Sequence, residues 1–528
     1  IMSKLNTNTY LAKTATPNFP RTRHNIPNVE RVQTESIGVL TPIFCDIVYP
    51  STTYELDFSN FVRMDTSAKV PLNRIYKDYF FFFVPFRILD PEFVKVLGDK
   101  DPYDTQAYGF PQIKITASSA VLAKQGVKNF LPDYLGYSLA SLNALVLSGT
   151  DEFTSYPVDA VWQIFNDWFR DDHLDHIVDY SSYRNNTTAY DICLPESGQA
   201  DGAEYLHCPL VNKFHDYFTD GNTTPMGDDV YLNLGQAMPV LPFDDIDIEV
   251  NTSDVSLKYD GLKFRDYTGA RMASAAALGV YGSGLGGGLY GAGTAPTGSN
   301  TKILYPSNLG VDLQRSGLTI NNLLLAFAQQ NLNYKKNNFG TRYIEQLRSQ
   351  WGQDVPDYLV CRSEYLGGTR VALNNLPVLD TTSEGLGMMR GNSATLAGAS
   401  WVKSFPESGL VIGLAVSRVK HMYSQGKDLA IFGLKTEADL YNPTFANIGP
   451  TPVYRKEIYN DPSIADDEVF NYSPEAWARL RTIPSRACGM FNPAFTSDAL
   501  AEFATLWNYQ DIYYSKPYLS EQWLKEKG

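Results

Sequence analysis

The sequence predicts a mainly β protein: a β-sandwich of jelly-roll type, with helical insertions and long loops between its strands. Three observations lead there. The run Tyr79-Phe80-Phe81-Phe82-Phe83-Val84, closed by Pro85, shows no helical period and is dense in sheet-favouring residues. It reads as a strand covered on both faces. Just before it, Tyr54, Leu56 and Phe58 alternate with Glu55, Asp57 and Ser59, the pattern of an antiparallel strand with one wet face. Apolar strand-like runs then return only in the last third of the chain, above all at Leu410–Ser417. Strands distant in sequence must therefore close one sandwich around the intervening segments.

In chain order, residues 1–32 read as an extended arm, because Pro17, Pro20 and Pro27 block helix. Strands are expected over Gly38–Val48, Tyr54–Met64 and Ile75–Ile88, with Pro50, Pro71 and Pro85 between or at the end of them. The best helix is Val158–Ile177, where Val161, Phe165, Trp168 and Phe169 make one apolar stripe. Residues 181–306 are rich in Gly, Asn, Thr, Asp and Ser, and Gly279–Asn300 reads as a flexible surface loop. Helix returns at Leu318–Leu332, with Leu323, Leu324, Phe327 and Ala328 on one side, and at Tyr343–Trp351 after Gly340. Gly413, inside a strand run, predicts a bulge or a close approach. Ser473-Pro474 is expected to open a short helix carrying Trp477 and Leu480. Ser497 is expected to cap a helix with Leu500, Phe503, Leu506 and Trp507, and the Tyr-rich tail from Asp511 to pack on the body or on a neighbour.

Composition sharpens the class. Of 528 residues, 13% are aromatic and only 19% are charged, against ~25% in a typical domain. Few charges and many aromatics suit a subunit that buries surface in an assembly. The net charge is −14, yet residues 1–31 carry Lys4, Lys13, Arg21, Arg23 and Arg31 against Glu30 alone, so an arm of +4 precedes a body of −18. That asymmetry is familiar from nucleic-acid-binding tails. Cys45, Cys193, Cys208, Cys361 and Cys488 are scattered and form no Cys-x-x-Cys, which excludes a zinc ribbon or dithiol site. With no signal peptide visible, they point to production in a reducing, intracellular setting. No apolar run reaches the ~20 residues of a membrane span.

No catalytic motif emerges. There is no Gly-x-Ser-x-Gly elbow, and none of the six His sits in a triad or metal motif. His173 and His176, three apart, could share a helix face as a metal pair, but a solvated helix end is the better reading. Asp245, Asp247 and Glu249 could hold calcium, though alternation with apolar residues reads better as the wet face of a strand. No cofactor is expected. A carbohydrate-binding or carbohydrate-hydrolysing sandwich remains the alternative, suggested only by aromatics and acidic pairs.

Several stretches, in order, resemble the major capsid protein of the microviruses, small phages with single-stranded DNA, and their gokushovirus branch in particular. Thr41-Pro42-Ile43 through Val48-Tyr49-Pro50 resemble the family's entry strand, with Asp46 in place and Ser51-Thr52-Thr53 where Gly-Asp-Thr is usual. Phe61-Val62-Arg63-Met64 and Phe80–Arg87 (FFFFVPFR) are the most specific matches. Asn166-Asp167-Trp168-Phe169-Arg170-Asp171, Gly340-Thr341-Arg342-Tyr343-Ile344-Glu345 and Ser363-Glu364-Tyr365-Leu366-Gly367-Gly368 follow. Tyr441-Asn442-Pro443, Phe445-Ala446-Asn447-Ile448-Gly449 and Asn471-Tyr472 complete the series.

The resemblance implies an eight-stranded viral single jelly roll, made in the host bacterial cytoplasm and assembled into a T=1 icosahedral shell around circular single-stranded DNA, with no catalytic residues. It implies a core over 33–195 and 307–528, an internal basic arm over 1–32, and a surface insertion over 196–306. The insertion would rise near the threefold axes and meet a host cell-surface receptor through residues such as Tyr281, Gly284, Leu285, Gly287, Leu289 and Tyr290. Lys4, Lys13, Arg21, Arg23 and Arg31 would face the DNA. Internal scaffolding, DNA pilot and small DNA-binding viral proteins are the implied partners, besides further copies of the chain.

Overall fold

The computed structural model describes residues 20–63 (Asn28 apart), 73–116, 129–137, 150–191, 204–223, 240–242, 264–265, 278–283, 286–291, 305–306, 309–311, 320–373, 377–379, 389–392, 394–445, 450–473, 475, 477–489 and 517–526. The strands of the first 85 residues are β1 (Thr41–Val48), β2 (Thr52–Arg63) and β3 (Ile75–Pro85). A small insertion sheet follows, of β4 (Gln112–Thr116), β5 (Thr150–Thr154) and β6 (Tyr190–Asp191). The strands that return late are β7 (Glu364–Leu373), β8 (Ala394–Phe405) and β9 (Gly409–Val419).

The main sheet has the order β1-β9-β3-β7, antiparallel throughout. First and last strands thus interleave, as a jelly roll requires. Thr41 lies opposite Ala415 and Val48 opposite Gly409, while Ile75 lies opposite Val419 and Pro85 opposite Gly409. The register slips between Pro42 and Phe44, opposite Gly413, so the expected irregularity is present there. A Cβ on Gly413 would stand 2.8 Å from the Phe81 ring, which is the close approach that only glycine allows.

β2 and β8 pair along their whole length, Thr52 with Phe405 and Arg63 with Ala394, as a ribbon over one face of the main sheet. The Phe run is covered on both sides. Phe81 and Phe83 meet Trp401, Phe405 and Val411, with Tyr54, Leu56 and Phe58 of β2 packed beside them. Phe82 and Val84 point the other way, into the larger core with Ile412, Leu414, Val158, Val161 and Ile164. Each such buried side chain contributes ~1.5–3 kcal/mol relative to exposure. The alternation read in β2 is the observed one: Tyr54, Leu56 and Phe58 inward, Glu55, Asp57 and Ser59 outward.

Mid-strand, Asp78 is 1% exposed. Arg370 lies directly opposite it on β7 and donates at 2.5 and 3.0 Å, and Arg418 on β9 donates at 2.5 Å. Both guanidiniums stack on Phe214, at 4.9 and 4.1 Å from its ring. A charge buried in a strand is tolerated because two cationic neighbours hold it.

The predicted helix Val158–Ile177 is shorter. α1 runs Tyr156–Ile164 and widens into one π turn, Phe165–Phe169. Arg170 is already extended. The Asn166 amide donates to the Val178 carbonyl, turning the chain back on itself. α2 spans Ile320–Phe339 and so runs seven residues past the predicted end, to Gly340 with φ +94°. α3 is Tyr343–Trp351, as expected.

The described part of the Gly-rich stretch is strand instead of the expected loop, and 284–285 and 292–300 lie outside the described residues. Leu278–Ser283 and Gly286–Gly291 pair as an antiparallel hairpin, with Tyr281 opposite Gly288 and Leu289 opposite Val280. Backbone groups that lack side-chain support are satisfied by pairing with each other. Outside it, Phe264–Arg265 pairs with Tyr305–Pro306 and Val240–Pro242 with Leu309–Val311, so the pairings nest. Residues 204–223, where the predicted insertion begins, pack into the body: the Trp162 indole donates to the Tyr205 carbonyl, and Asn222 bridges to Tyr472.

Ser473 does not open a helix. It ends the strand Val469–Ser473, which pairs with Thr451–Tyr454, and a helical turn follows at Ala478–Leu480. The predicted helix at Ser497–Trp507 and the acidic alternation at 243–250 lie outside the described residues. Of the predicted tail, residues 517–526 are described, and they pack on the body. Lys213 N–H donates to the Leu524 carbonyl, Glu526 N–H to the Val211 carbonyl, and Glu526 meets His421 at 3.0 Å.

Candidate assembly surfaces and nucleic-acid interface

Three motifs far apart in sequence converge on the end of α1. The Trp168 indole donates to both the carbonyl and the hydroxyl of Ser363, each at 3.0 Å. The Ser363 N–H and hydroxyl donate to the Asp167 carboxylate at 2.9 and 2.8 Å. Arg362 lies 3.8 Å over the Trp168 ring and donates to the Asp167 carbonyl at 2.7 Å. Arg342 completes the knot, donating to the carbonyls of Asp167 and Arg170 and to Asp172 Oδ1 at 2.6 Å. A helix end leaves carbonyls without partners, and here two arginines supply them. Burial pushes the Asp167 carboxyl above its ordinary value, although Ser363 and Arg362 pull the other way. The knot fastens the helical insertion to the edge strand β7. Nothing local in the sequence announces it, because the partners are some 170 to 196 residues apart.

The predicted DNA-facing residues divide. Lys4 and Lys13 lie outside the described residues. Arg21 is exposed. Arg23 meets Glu55 on the outer face of β2 at 3.3 Å, with both side chains mostly in water. Such a pair contributes ~0–1 kcal/mol and yields readily to a stronger anion. Arg31 donates to the carbonyls of Ile43 and Tyr134, and burial lowers its pKa. Among the described residues from Pro20 to Val32 there is no helix or strand, as the prolines dictate. Of the predicted receptor-facing residues, Tyr281, Gly287, Leu289 and Tyr290 lie on the hairpin, and Gly284 and Leu285 lie outside the described residues.

Large apolar side chains stand in water on several faces. Phe61 and Leu396 are cross-strand partners on the outside of the β2–β8 ribbon, 69% and 74% exposed. Ile431, Phe432, Ile483 and Trp351 are likewise exposed, on other segments. The adjacent Phe61 and Leu396 make an apolar patch of the kind that marks contacts with other proteins.

A cleft of about 230 Å³ lined by Phe218, Tyr423, Glu457, Arg486 and Cys488 falls below the ~300–1,000 Å³ of ordinary ligand sites. His173 and His176 are exposed and follow the helix instead of sharing its face. Among the described residues no three His, Cys, Asp or Glu gather as a metal site, and no helix is long and apolar enough to cross a membrane.

A jelly-roll sandwich with apolar side chains in water on several faces suits a subunit that packs against other protein chains. Comparison with known proteins makes the class specific. The profile of the family described as capsid protein (F protein) matches residues 12–528, and the chain belongs to that family. It is 30% identical to capsid protein VP1 of Spiroplasma virus 4, over 99% of this chain and 91% of the relative. It is 28% identical to capsid protein VP1 of Bdellovibrio phage phiMH2K, over 92% and 84%. It is 27% identical to that of Chlamydia phage 1, over 93% and 87%. The chain is therefore a structural capsid protein of the virion, microvirus-type and gokushovirus-like, and not an enzyme. The resemblance carried by the short motifs holds along nearly the whole chain.

Proposed function

We propose that copies of this chain close into a T=1 icosahedral shell around circular single-stranded DNA. Residues 33–195 and 307–528 form the wall, 1–32 the internal arm, and 196–306 an outward projection near the threefold axes, rooted at 204–223. The observation that carries this reading is the family match over residues 12–528, joined to an arm of +4 on an acidic body. Inside a shell, the arm's cations neutralise phosphates without reading sequence. The nested strand pairs from Val240 to Val311 suit a projection that folds on itself, and the hairpin with Tyr281, Leu289 and Tyr290 offers a host receptor its contact surface. Internal scaffolding, DNA pilot and small DNA-binding viral proteins are its further partners.

The arm is tested by replacing Lys4, Lys13, Arg21 and Arg23 with glutamine in the full chain. Each single-strand phosphate contact adds ~0.7 to the slope of log affinity against log salt. Losing four lowers that slope by up to ~3 and reduces DNA per particle, with the subunit's melting unchanged. Particles with wild-type DNA content and salt dependence would refute the role.

A further inference from the structure

We infer that α2 is a docking helix for a second copy of this chain. The inference rests on the shell reading above and names one of its contacts. Its 20 residues make a rod ~30 Å long. None of its described side chains is buried. Leu323, Ala326, Asn333, Tyr334, Lys336, Asn337 and Asn338 are half-buried, and Asn337 takes a hydrogen bond from the Asn222 amide.

The helix carries two apolar stripes. Ile320, Leu324 and Phe327 recur at i, i+4 and i+7, and Leu325, Leu332 and Phe339 at i, i+7 and i+14. All six are between 37% and 76% exposed. Together the stripes cover ~160° of the helix circumference. Asn321, Asn331, Lys335 and Asn338 fall within the same arc, so six large apolar side chains stand in water among polar ones, a surface of the kind that marks a protein contact.

Setting and charge favour another copy as that partner. A shell subunit is surrounded by copies of itself, and their association is driven by buried apolar surface. Charge agrees. The helix has no carboxylate, and its only charges are Lys335 and Lys336. Lys335 is exposed and falls between the two stripes. The chain it would meet is −14 overall, so a carboxylate opposite Lys335 is the complementary arrangement. A nucleic acid would ask the reverse, a row of cations with few aliphatic side chains.

The test compares hydrogen exchange of the wild-type chain as dissociated subunits, as empty shells and as DNA-filled shells, produced with the viral proteins encoded beside it. The α2 amides are expected to slow at least tenfold on forming empty shells. The Leu325→Glu/Leu332→Glu variant should melt as the wild type does but sediment as subunits. A milder Lys335→Glu variant should assemble with reduced yield, most clearly at low salt. Slowing confined to DNA-filled shells would assign the face to the genome and overturn the inference. Unchanged exchange in shells, or wild-type shell yield from the double glutamate variant, would overturn it while leaving the shell reading intact. No shells from the wild type would overturn both.

Discussion

Replacing Arg342 by alanine is expected to cost the subunit about 3 kcal/mol. The side chain is 19% exposed and its partner Asp172 12%. Three donations are lost: to the carbonyls of Asp167 and Arg170 at the end of α1, and to Asp172 at 2.6 Å. Hydrogen bonds from a charged donor contribute ~1.5–3 kcal/mol each and do not add fully. The favourable charge at a helix C-terminus adds ~0.3–1 kcal/mol. Two features moderate the loss: Asp172 keeps Arg170 at 3.2 Å, and Arg362 still reaches the Asp167 carbonyl. Arg342→Lys should recover about half, since an ammonium restores the ion pair but cannot fork to two carbonyls. Urea unfolding of the dissociated subunit measures this as a shift in midpoint at constant slope. Arg481→Ala is the control, because Arg481 pairs with Glu475 in the open and should cost under ~0.5 kcal/mol. An Arg342→Ala midpoint no lower than that of the control would refute the idea that the knot secures α1 to β7.

Two further outcomes follow from packing and charge. Gly413→Ala should cost ~1–3 kcal/mol by the same assay, because its Cβ would press on the Phe81 ring at 2.8 Å and on Ile43 and Phe44 at 3.1 Å; a cost under ~0.5 kcal/mol would show that the sheet yields there. Burial raises the Asp167, Asp159 and Glu457 carboxyls above their ordinary values. Between its unfolded and folded pKa such an acid binds more protons when folded, so stability falls as pH rises through that window. Subunit melting followed upward from the ordinary carboxylate range should therefore decline, and less steeply in Asp167→Asn; equal slopes in variant and wild type would contradict this.

How much the sequence disclosed depends on where each signal resides. β2 and β3 were legible because alternation and an unbroken aromatic run are carried by the residues themselves. The end of α1 was not, since no Gly or Pro stands at Arg170 and the stop comes from Arg342 and Arg362, far along the chain. α2 was read too short because its apolar stripes thin after Leu332, while the true signal was Gly340, the left-handed residue that follows the helix. The Gly-rich hairpin hid because its pairing is made by backbone, which composition does not reveal. The motifs named most residues of the knot, Asp172 and Arg362 apart, but not their meeting.

Electron microscopy of particles made by the full chain, co-expressed with the viral proteins encoded beside it, tests the central claim most directly. Closed T=1 icosahedral shells with knobs at the threefold axes are the predicted result, and a chain lacking Gly279–Asn300 should give shells with shortened knobs. Folded subunits that never close into shells, with or without those partners, would contradict the account.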